Sequence, residues 1–379
     1  MARAINILTV SWDPTLAMNQ PDFGDAQIRN IEYGKYVNSI HSITYAKKSL
    51  NLKNKKLSHN VFVYPTNSAN QINFLWDAWK IAKNICLQNK IDLVLTQDPF
   101  LTGLVGTLVK KKFNCQLLIH FHGDFFDNKL WLREDWYNRL LLILGQKVVR
   151  QADAIRVMSQ GIKDKLINFG LRENKIRVIP TPVDLQKFSL PVEKKQSRDK
   201  KIILSVGRLV IVKNIPLLIK AIEIVYKKRK DIILRIAGAG PEKDKIKKLT
   251  AGLDYIELLG AKDHDDLPKE YRNCDLFVLS SDSESFGKVL VEANACGKPV
   301  VATATTGAKE IVRDGYNGWL VPIGDAQAMA DKILYLLNSP TEAERLGENG
   351  RQLMREKFSD NTEQIVKFWE DIIEQKLPR

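Results

Sequence analysis

Short apolar runs that read as buried strands alternate with stretches of helical periodicity along the whole chain. In the first half the runs are Ile5 to Val10, Val61 to Tyr64, Leu93 to Thr96, Gln116 to His120, Ala154 to Met158 and Arg177 to Pro180. In the second they are Ile202 to Val206, Ile232 to Ala237, Ile256 to Leu259, Leu276 to Leu279, Val300 to Ala302 and Trp319 to Pro322. A strand that is apolar throughout is buried on both faces. Its alternation with helices predicts parallel sheets covered on both sides. A chain of 379 residues is too long for one core and suits two domains. The polar, lysine-rich stretch from Pro191 to Lys201 is the natural linker. The expected class is therefore α/β, with two doubly wound Rossmann-like domains facing each other across a cleft. They span residues 1–190 and 202–358, and a helical segment at 359–379 follows. In such sheets ligands sit at the carboxyl ends of the strands.

Composition narrows the function. No stretch of 18 or more apolar residues occurs, so no spanning helix is expected. Ala4 to Trp12 lacks a basic leader and reads as a first strand rather than a signal peptide. Cys86, Cys115, Cys274 and Cys296 form no C-x-x-C pair and sit in apolar surroundings, as expected of reduced thiols in a cytoplasmic protein. The net charge of +14 is uneven. Residues 1–190 hold 26 Lys and Arg against 15 Asp and Glu, and the rest hold 32 against 29. A basic first half suggests an anionic partner, or else lysines spread over every surface. No nucleic-acid-binding motif accompanies the charge.

Ser281 to Thr303 carries the most chemistry. A strand ending near Leu279 turns through a Ser/Asp loop, and a helix begins at Phe286-Gly287 and ends at Gly297-Lys298-Pro299. Glu284 and Glu292 lie eight residues apart across the helix start. A helix N-terminus offers unpaired N–H groups and a positive dipole end, which suit phosphate or sugar oxygens. Glu292 falls roughly 7 Å along the axis from Gly287, at about 1.5 Å per residue. Two readings are open. The acids could be a first-turn acid and a solvated helix residue. Alternatively they grip the two ends of a sugar joined through a diphosphate to a ribose. The run Val289 to Cys296 is otherwise apolar, and a carboxylate there needs hydrogen-bond partners such as ribose hydroxyls.

This segment resembles the E-x-F-G-x-x-x-x-E signature of retaining GT-B glycosyltransferases, the glycogen-synthase-like family 4 group. Ala295 to Thr303, Thr306-Gly-Ala-Lys-Glu310, Asp314 to Gly318 and Leu320 to Asp325 continue the likeness in order and spacing. The resemblance implies that Glu284 holds the donor sugar and Glu292 the ribose. Ser285, Phe286 and Gly287, with Leu290 and Val291, would complete the donor site. It also implies that the closing helix packs back on the first domain.

Ser205 to Asn214 follows the first strand of the second domain. Gly207 permits a tight turn, and Arg208 and Lys213 can reach the strand's carboxyl end, where two cations would neutralise a diphosphate. Surface cations are the plainer reading, but the segment is similar to the family's phosphate clamp. Gly238 and Gly240 read as turn residues beside the nucleotide; a third glycine is missing for a dinucleotide fingerprint. Asp263 to Asp266 reads as a helix N-cap with first-turn acids rather than a metal cluster.

In the first domain two histidines at i and i+2 face opposite sides of a strand. His120 is expected to pack inward and His122 to face the cleft, where the family places a histidine. Asp124 is expected to hold His122 or an acceptor hydroxyl. Gly24, Gln27 and Arg29 lie in the loop that in relatives runs beside the donor phosphate and acceptor. Here that loop lacks the usual glycine pair, and Thr181-Pro-Val-Asp184 replaces the usual N-G-V-D. Leu130 to Leu144 is aromatic and amphipathic. With Lys47, Lys48, Lys53 to Lys56 and Lys110 to Lys112 it could dock on an anionic membrane surface, or it is a core-facing helix.

The expected activity is retaining transfer of a hexose from a UDP- or GDP-sugar to an acceptor hydroxyl. His122, Arg208, Lys213 and Glu284 form the expected catalytic group. No permanently bound cofactor, metal or nucleic acid is expected. The expected location is the cytoplasm, at most peripheral to the inner membrane face. A GT-B epimerase or a non-catalytic scaffold are the alternatives.

Overall fold

The computed structural model describes residues 3–18, 26–189, 199–263, 265–358 and 361–375. Contacts divide the chain into two units, Met1–Pro180 with Asn361–Arg379, and Thr181–Asp360. The division falls at Pro180, upstream of the expected linker, of which residues 191–198 lie outside those described.

The first unit holds eight strands: β1 (Arg3–Ser11), β2 (Val37–Thr44), β3 (Lys55–Ser58), β4 (Val61–Pro65), β5 (Leu93–Thr96), β6 (Gln116–Phe121), β7 (Ala154–Val157) and β8 (Ile176–Val178). They lie in the order β3-β4-β2-β1-β5-β6-β7-β8. All pairs are parallel except β3 with β4. Side chains alternate between faces along each strand. Leu8 and Val10 of β1 join one core with the helices Gln71–Gln88, Leu101–Phe113 and Asn138–Gln151. Ile5 and Ile7 join a second core on the opposite face, completed by Ile365, Phe368, Trp369 and Ile372 of the helix Thr362–Ile373. The end of the chain thus returns to the unit in which it began.

Strand β2 has no apolar run to betray it, yet it pairs with β1 from Asn6↔Ser39 to Ser11↔Thr44. Its serines find partners, while the buried Nε2 of His41 has none among the described residues. Ser39 donates to Asn6 Oδ1 at 2.8 Å and Ser42 to Asn30 Oδ1 at 3.3 Å. Satisfied in this way, they can be buried without the penalty of an unpaired hydroxyl.

The second unit holds β9 (Lys201–Val206), β10 (Ile232–Ala237), β11 (Ile256–Gly260), β12 (Leu276–Leu279), β13 (Val300–Thr303) and β14 (Gly318–Val321), all parallel. Their order is β11-β10-β9-β12-β13-β14. The chain winds outward from β9 in one direction, then restarts at β12 in the other. The loops after β9 and β12 therefore diverge at a topological switch point, which opens a crevice between them.

Two local expectations change. Asp266 stands at the N-cap of Leu267–Asn273 but makes no side-chain cap bond, and Asp265 pairs with Lys187. The stretch Leu130 to Leu144 is not simply core-facing. Trp136, just before the helix Asn138–Gln151, is 80% exposed, and Leu140 and Ile143 on it are 59% and 52% exposed, while Val148 and Val149 further along are buried.

Candidate active site

The second unit's site is built on the loops that follow β9 and β12. Asn214 adopts a left-handed conformation (φ 42°) and caps the helix Ile215–Lys228, its side chain accepting from Leu217 N. The same side chain donates to Asp282 Oδ1 at 2.8 Å, across to the other loop. Ser280 Oγ donates to the Lys213 carbonyl at 2.9 Å, and Asp282 N to the Val212 carbonyl at 2.8 Å. Three hydrogen bonds therefore fix one loop against the other. They bring the Lys213 ammonium onto Glu284 Oε2 in an ion pair, with both side chains mostly buried. Ser281 Oγ donates to the same oxygen at 3.4 Å. Arg208 is exposed nearby in sequence and takes no ion pair among the described residues.

Glycines let backbones close around this pair. A Cβ on Gly238 would lie 1.8 Å from the Gly207 carbonyl oxygen, so the β10 loop abuts the β9 loop directly. A Cβ on Gly307 would lie 2.4 Å from Phe286 N, and Gly307 N donates to the Glu284 carbonyl at 2.7 Å. Gly287 is left-handed (φ 89°) and starts the helix Lys288–Ala295 without any side-chain cap. The Leu290 N–H of the first turn donates back to the Gly287 carbonyl at 2.8 Å.

Glu292 lies on that helix and is 3% exposed. Tyr271 Oη donates to its Oε2 at 2.8 Å, and Lys288 Nζ stands 3.9 Å from its Oε1. Loss of hydration raises its pKa; the Lys288 charge, the Tyr271 hydrogen bond and the Lys187 charge oppose the rise. The Tyr271 hydroxyl is pushed far above its usual range by burial and by the carboxylate beside it. Leu290 and Val291, expected at the donor, are fully buried, and the Leu290 N–H is taken by the Gly287 carbonyl. Phe286 also packs inward, its ring 5.6 Å from that of Phe358. Further along, Asn317 Nδ2 donates to Asn294 Oδ1 at 2.9 Å and ties the helix to the Asp314 to Gly318 turn.

In the first unit His122 follows β6 and keeps an exposed surface. Loss of hydration, then the charges of Arg156 and Arg29, hold its imidazole well below the usual range, so the ring is neutral. Arg29 is depressed chiefly by burial. Arg156 donates to the carbonyls of Ile179 at 2.8 Å and Pro180 at 2.7 Å. Both carboxylate oxygens of Asp124 accept from the Lys165 ammonium, at 2.9 and 2.8 Å. The Gln27 amide donates to the carbonyls of Thr15, Leu16 and Met18, so it braces the loop after β1. Gly24 lies outside the described residues.

Sequence reasoning missed Tyr271, Ser280 and Asp282. Tyr271 reads as an ordinary helix residue, and only the fold brings it to Glu292. Among the described residues no group of three or more His, Cys, Asp or Glu is placed to hold a metal.

The family model of glycosyl transferases group 1 matches residues 187–353, and that of glycosyltransferase family 4 matches 40–187. An uncharacterized glycosyltransferase of Methanocaldococcus jannaschii is 34% identical over 323 residues, covering 84% of this chain and 86% of the relative. The chain belongs to the group 1, family 4 glycosyltransferases. Sucrose-phosphate synthase from Thermosynechococcus elongatus has a similar structure, with a TM-score of 0.79 at 23% identity, covering 98% and 97% of the two chains. Anabaena HepE, solved in complex with UDP-glucose, has a TM-score of 0.74 at 20% identity, covering 98% and 99%. These likenesses define the fold as GT-B.

Proposed function

We propose that this glycosyltransferase moves a hexose from a nucleoside-diphosphate sugar to an acceptor hydroxyl, with the anomeric configuration retained and no metal required. The observation that carries the reading is the Lys213–Glu284 ion pair at the switch point between β9 and β12. A cation held by a carboxylate, with an exposed arginine in the same loop, suits a ligand that brings both phosphates and sugar hydroxyls. Lys213 and Arg208 would bind the diphosphate, and Glu284 would accept from the sugar hydroxyls. The helix start at Gly287 would hold the sugar, and Glu292 would accept from the ribose. UDP-glucose, present in the HepE structure, is the first donor to try.

In the proposed step the bond from the anomeric carbon to the diphosphate breaks as the acceptor oxygen bonds to the same carbon on the same face. The acceptor proton passes to the departing phosphate oxygen. The cations stabilise the charge that develops on the leaving group. A neutral His122 can accept from a hydroxyl without adding charge. The test is a panel of UDP-, GDP- and ADP-sugars with EDTA present, followed by NMR of the product's anomeric proton. Turnover with an inverted configuration would overturn the retaining mechanism, and activity only after divalent metal is added would overturn metal independence.

We further propose that the enzyme works in the cytoplasm against an anionic membrane surface. Three helices that pack side by side on one face of the first unit, Gln71–Gln88, Leu101–Phe113 and Asn138–Gln151, support this. Trp76, Ile72, Leu108, Leu140 and Ile143 are exposed on them, among exposed Lys80, Lys83, Lys111, Arg139 and Lys147. Asp77 is the only acid in the three, and it accepts from Ser68 Oγ at 2.8 Å. Apolar rings among cations with no free acid suit anionic headgroups.

A further inference from the structure

Glu292 is a charge-bearing group in an almost closed apolar setting, and the way it is held defines what it can recognise. Its helix presents Leu290, Val291, Ala293 and Ala295 to the core. A carboxylate in such a place needs firm donors on each oxygen. Tyr271 supplies one of them. It is fully buried in the helix Leu267–Asn273, its ring wedged between Phe188 at 5.7 Å and Phe277 at 5.5 Å. Those contacts leave its hydroxyl on Glu292 Oε2 at 2.8 Å. The other oxygen has only the Lys288 ammonium, at 3.9 Å, beyond hydrogen-bond distance. The charged and titratable groups around the carboxylate are Lys288, Lys187, Tyr271 and Cys296. Among the described residues no second hydroxyl or N–H donor is bonded to Oε1.

We infer that Tyr271 is a positioning residue that locks one oxygen of Glu292, so that the other makes the site selective for ribose over deoxyribose nucleotides. This rests on the proposed role of Glu292 at the donor ribose. A ligand hydroxyl completes the donor set of Oε1. A deoxy-nucleotide withholds that donor, and a site built to bond a ligand hydroxyl discriminates against the analogue that lacks it. Without the Tyr271 hydroxyl, Oε2 is the oxygen left short. The carboxylate then turns or takes up a proton, and the distinction between nucleotides fades.

The experiment is calorimetric titration of the full chain with UDP, 2′-deoxy-UDP and 3′-deoxy-UDP across pH. The proteins are wild type, Tyr271→Phe, Glu292→Gln and the double variant. Wild type should prefer UDP to at least one deoxy form by roughly tenfold or more, the scale of one hydrogen bond to a charged group. Tyr271→Phe should bind UDP about tenfold more weakly on the same scale. Its preference over the deoxy form should shrink, and the acid limb of its affinity should move to higher pH. In the Glu292→Gln background, the Tyr271→Phe change should cost clearly less and leave no acid limb to move, because Tyr271 acts chiefly through the carboxylate. An equal loss in both backgrounds would make Tyr271 merely structural and overturn the inference. So would a Tyr271→Phe protein with unchanged affinity, preference and pH limb. If instead Glu292→Gln bound UDP as wild type does, the ribose role of Glu292 itself would fail. Melting curves of all four proteins show which of them are folded at the titration temperature.

Discussion

At the scale of single residues the site trades stability for recognition. Burial raises the pKa of Glu292, so folding favours its protonated form. Its ionised form therefore weighs against the folded state above that raised pKa, and the burden lifts as pH falls through it. Glu292→Gln can still accept from Tyr271 and carries no charge. We expect it to raise the melting temperature at neutral pH, with a smaller gain in mild acid, while nucleotide affinity drops. A melt run at two pH values alongside UDP titration checks both halves. Gly238 makes the opposite kind of test. A methyl there would meet the Gly207 carbonyl oxygen at 1.8 Å, and both partners are backbone. Gly238→Ala should cost about 1–3 kcal/mol, typical of overpacking, and should weaken UDP binding by shifting the loop that carries Arg208. Chemical denaturation and calorimetry would read the two effects.

At the scale of elements, one asparagine holds a helix start and two loops together. Asn214 is left-handed, caps Ile215–Lys228 and bonds Asp282. Asn214→Gly keeps the backbone conformation but loses the bonds, whereas Asn214→Ala loses both. Alanine should destabilise by about 1–2 kcal/mol relative to wild type and glycine by less, and kcat/KM should fall in the same order. Much of this region was legible in sequence. Strand β9, strand β12, Lys213, Glu284 and Glu292 all lie within local patterns, and the switch point follows from strand order. What was not legible depends on partners remote in the chain. Tyr271 meets Glu292 only through packing, and Asp124 is taken by Lys165, 41 residues away. Strand β2 hides because its serines and threonine are paired in three dimensions, which no apolar pattern reveals. The helix Asn138–Gln151 misleads for the converse reason, since its apolar residues outnumber those its core face can bury.

At the scale of the whole molecule the chain leaves its first unit at Pro180 and returns to it at Asn361. Residues 361–379 carry Ile365, Phe368, Trp369 and Ile372 into the core beside β1. Truncation after residue 360 should strip that core, lower the melting temperature of the first unit and expose it to proteolysis, while the second unit still binds UDP. Limited proteolysis with nucleotide titration would show the split. The basic, tryptophan-bearing helix face predicts flotation with phosphatidylglycerol vesicles but not with phosphatidylcholine alone. Raised salt should weaken the binding, and Trp76→Ser with Leu140→Ser should lose it. Everything else in the account depends on the Lys213–Glu284 pair serving a nucleotide sugar. The most direct measurement is release of UDP from UDP-glucose, or of the diphosphate from another sugar nucleotide in the panel, by wild type and by Lys213→Ala. The account predicts turnover by wild type and a loss of about a hundredfold or more in the variant, the scale of removing one transition-state charge contact; equal turnover by both proteins would contradict it.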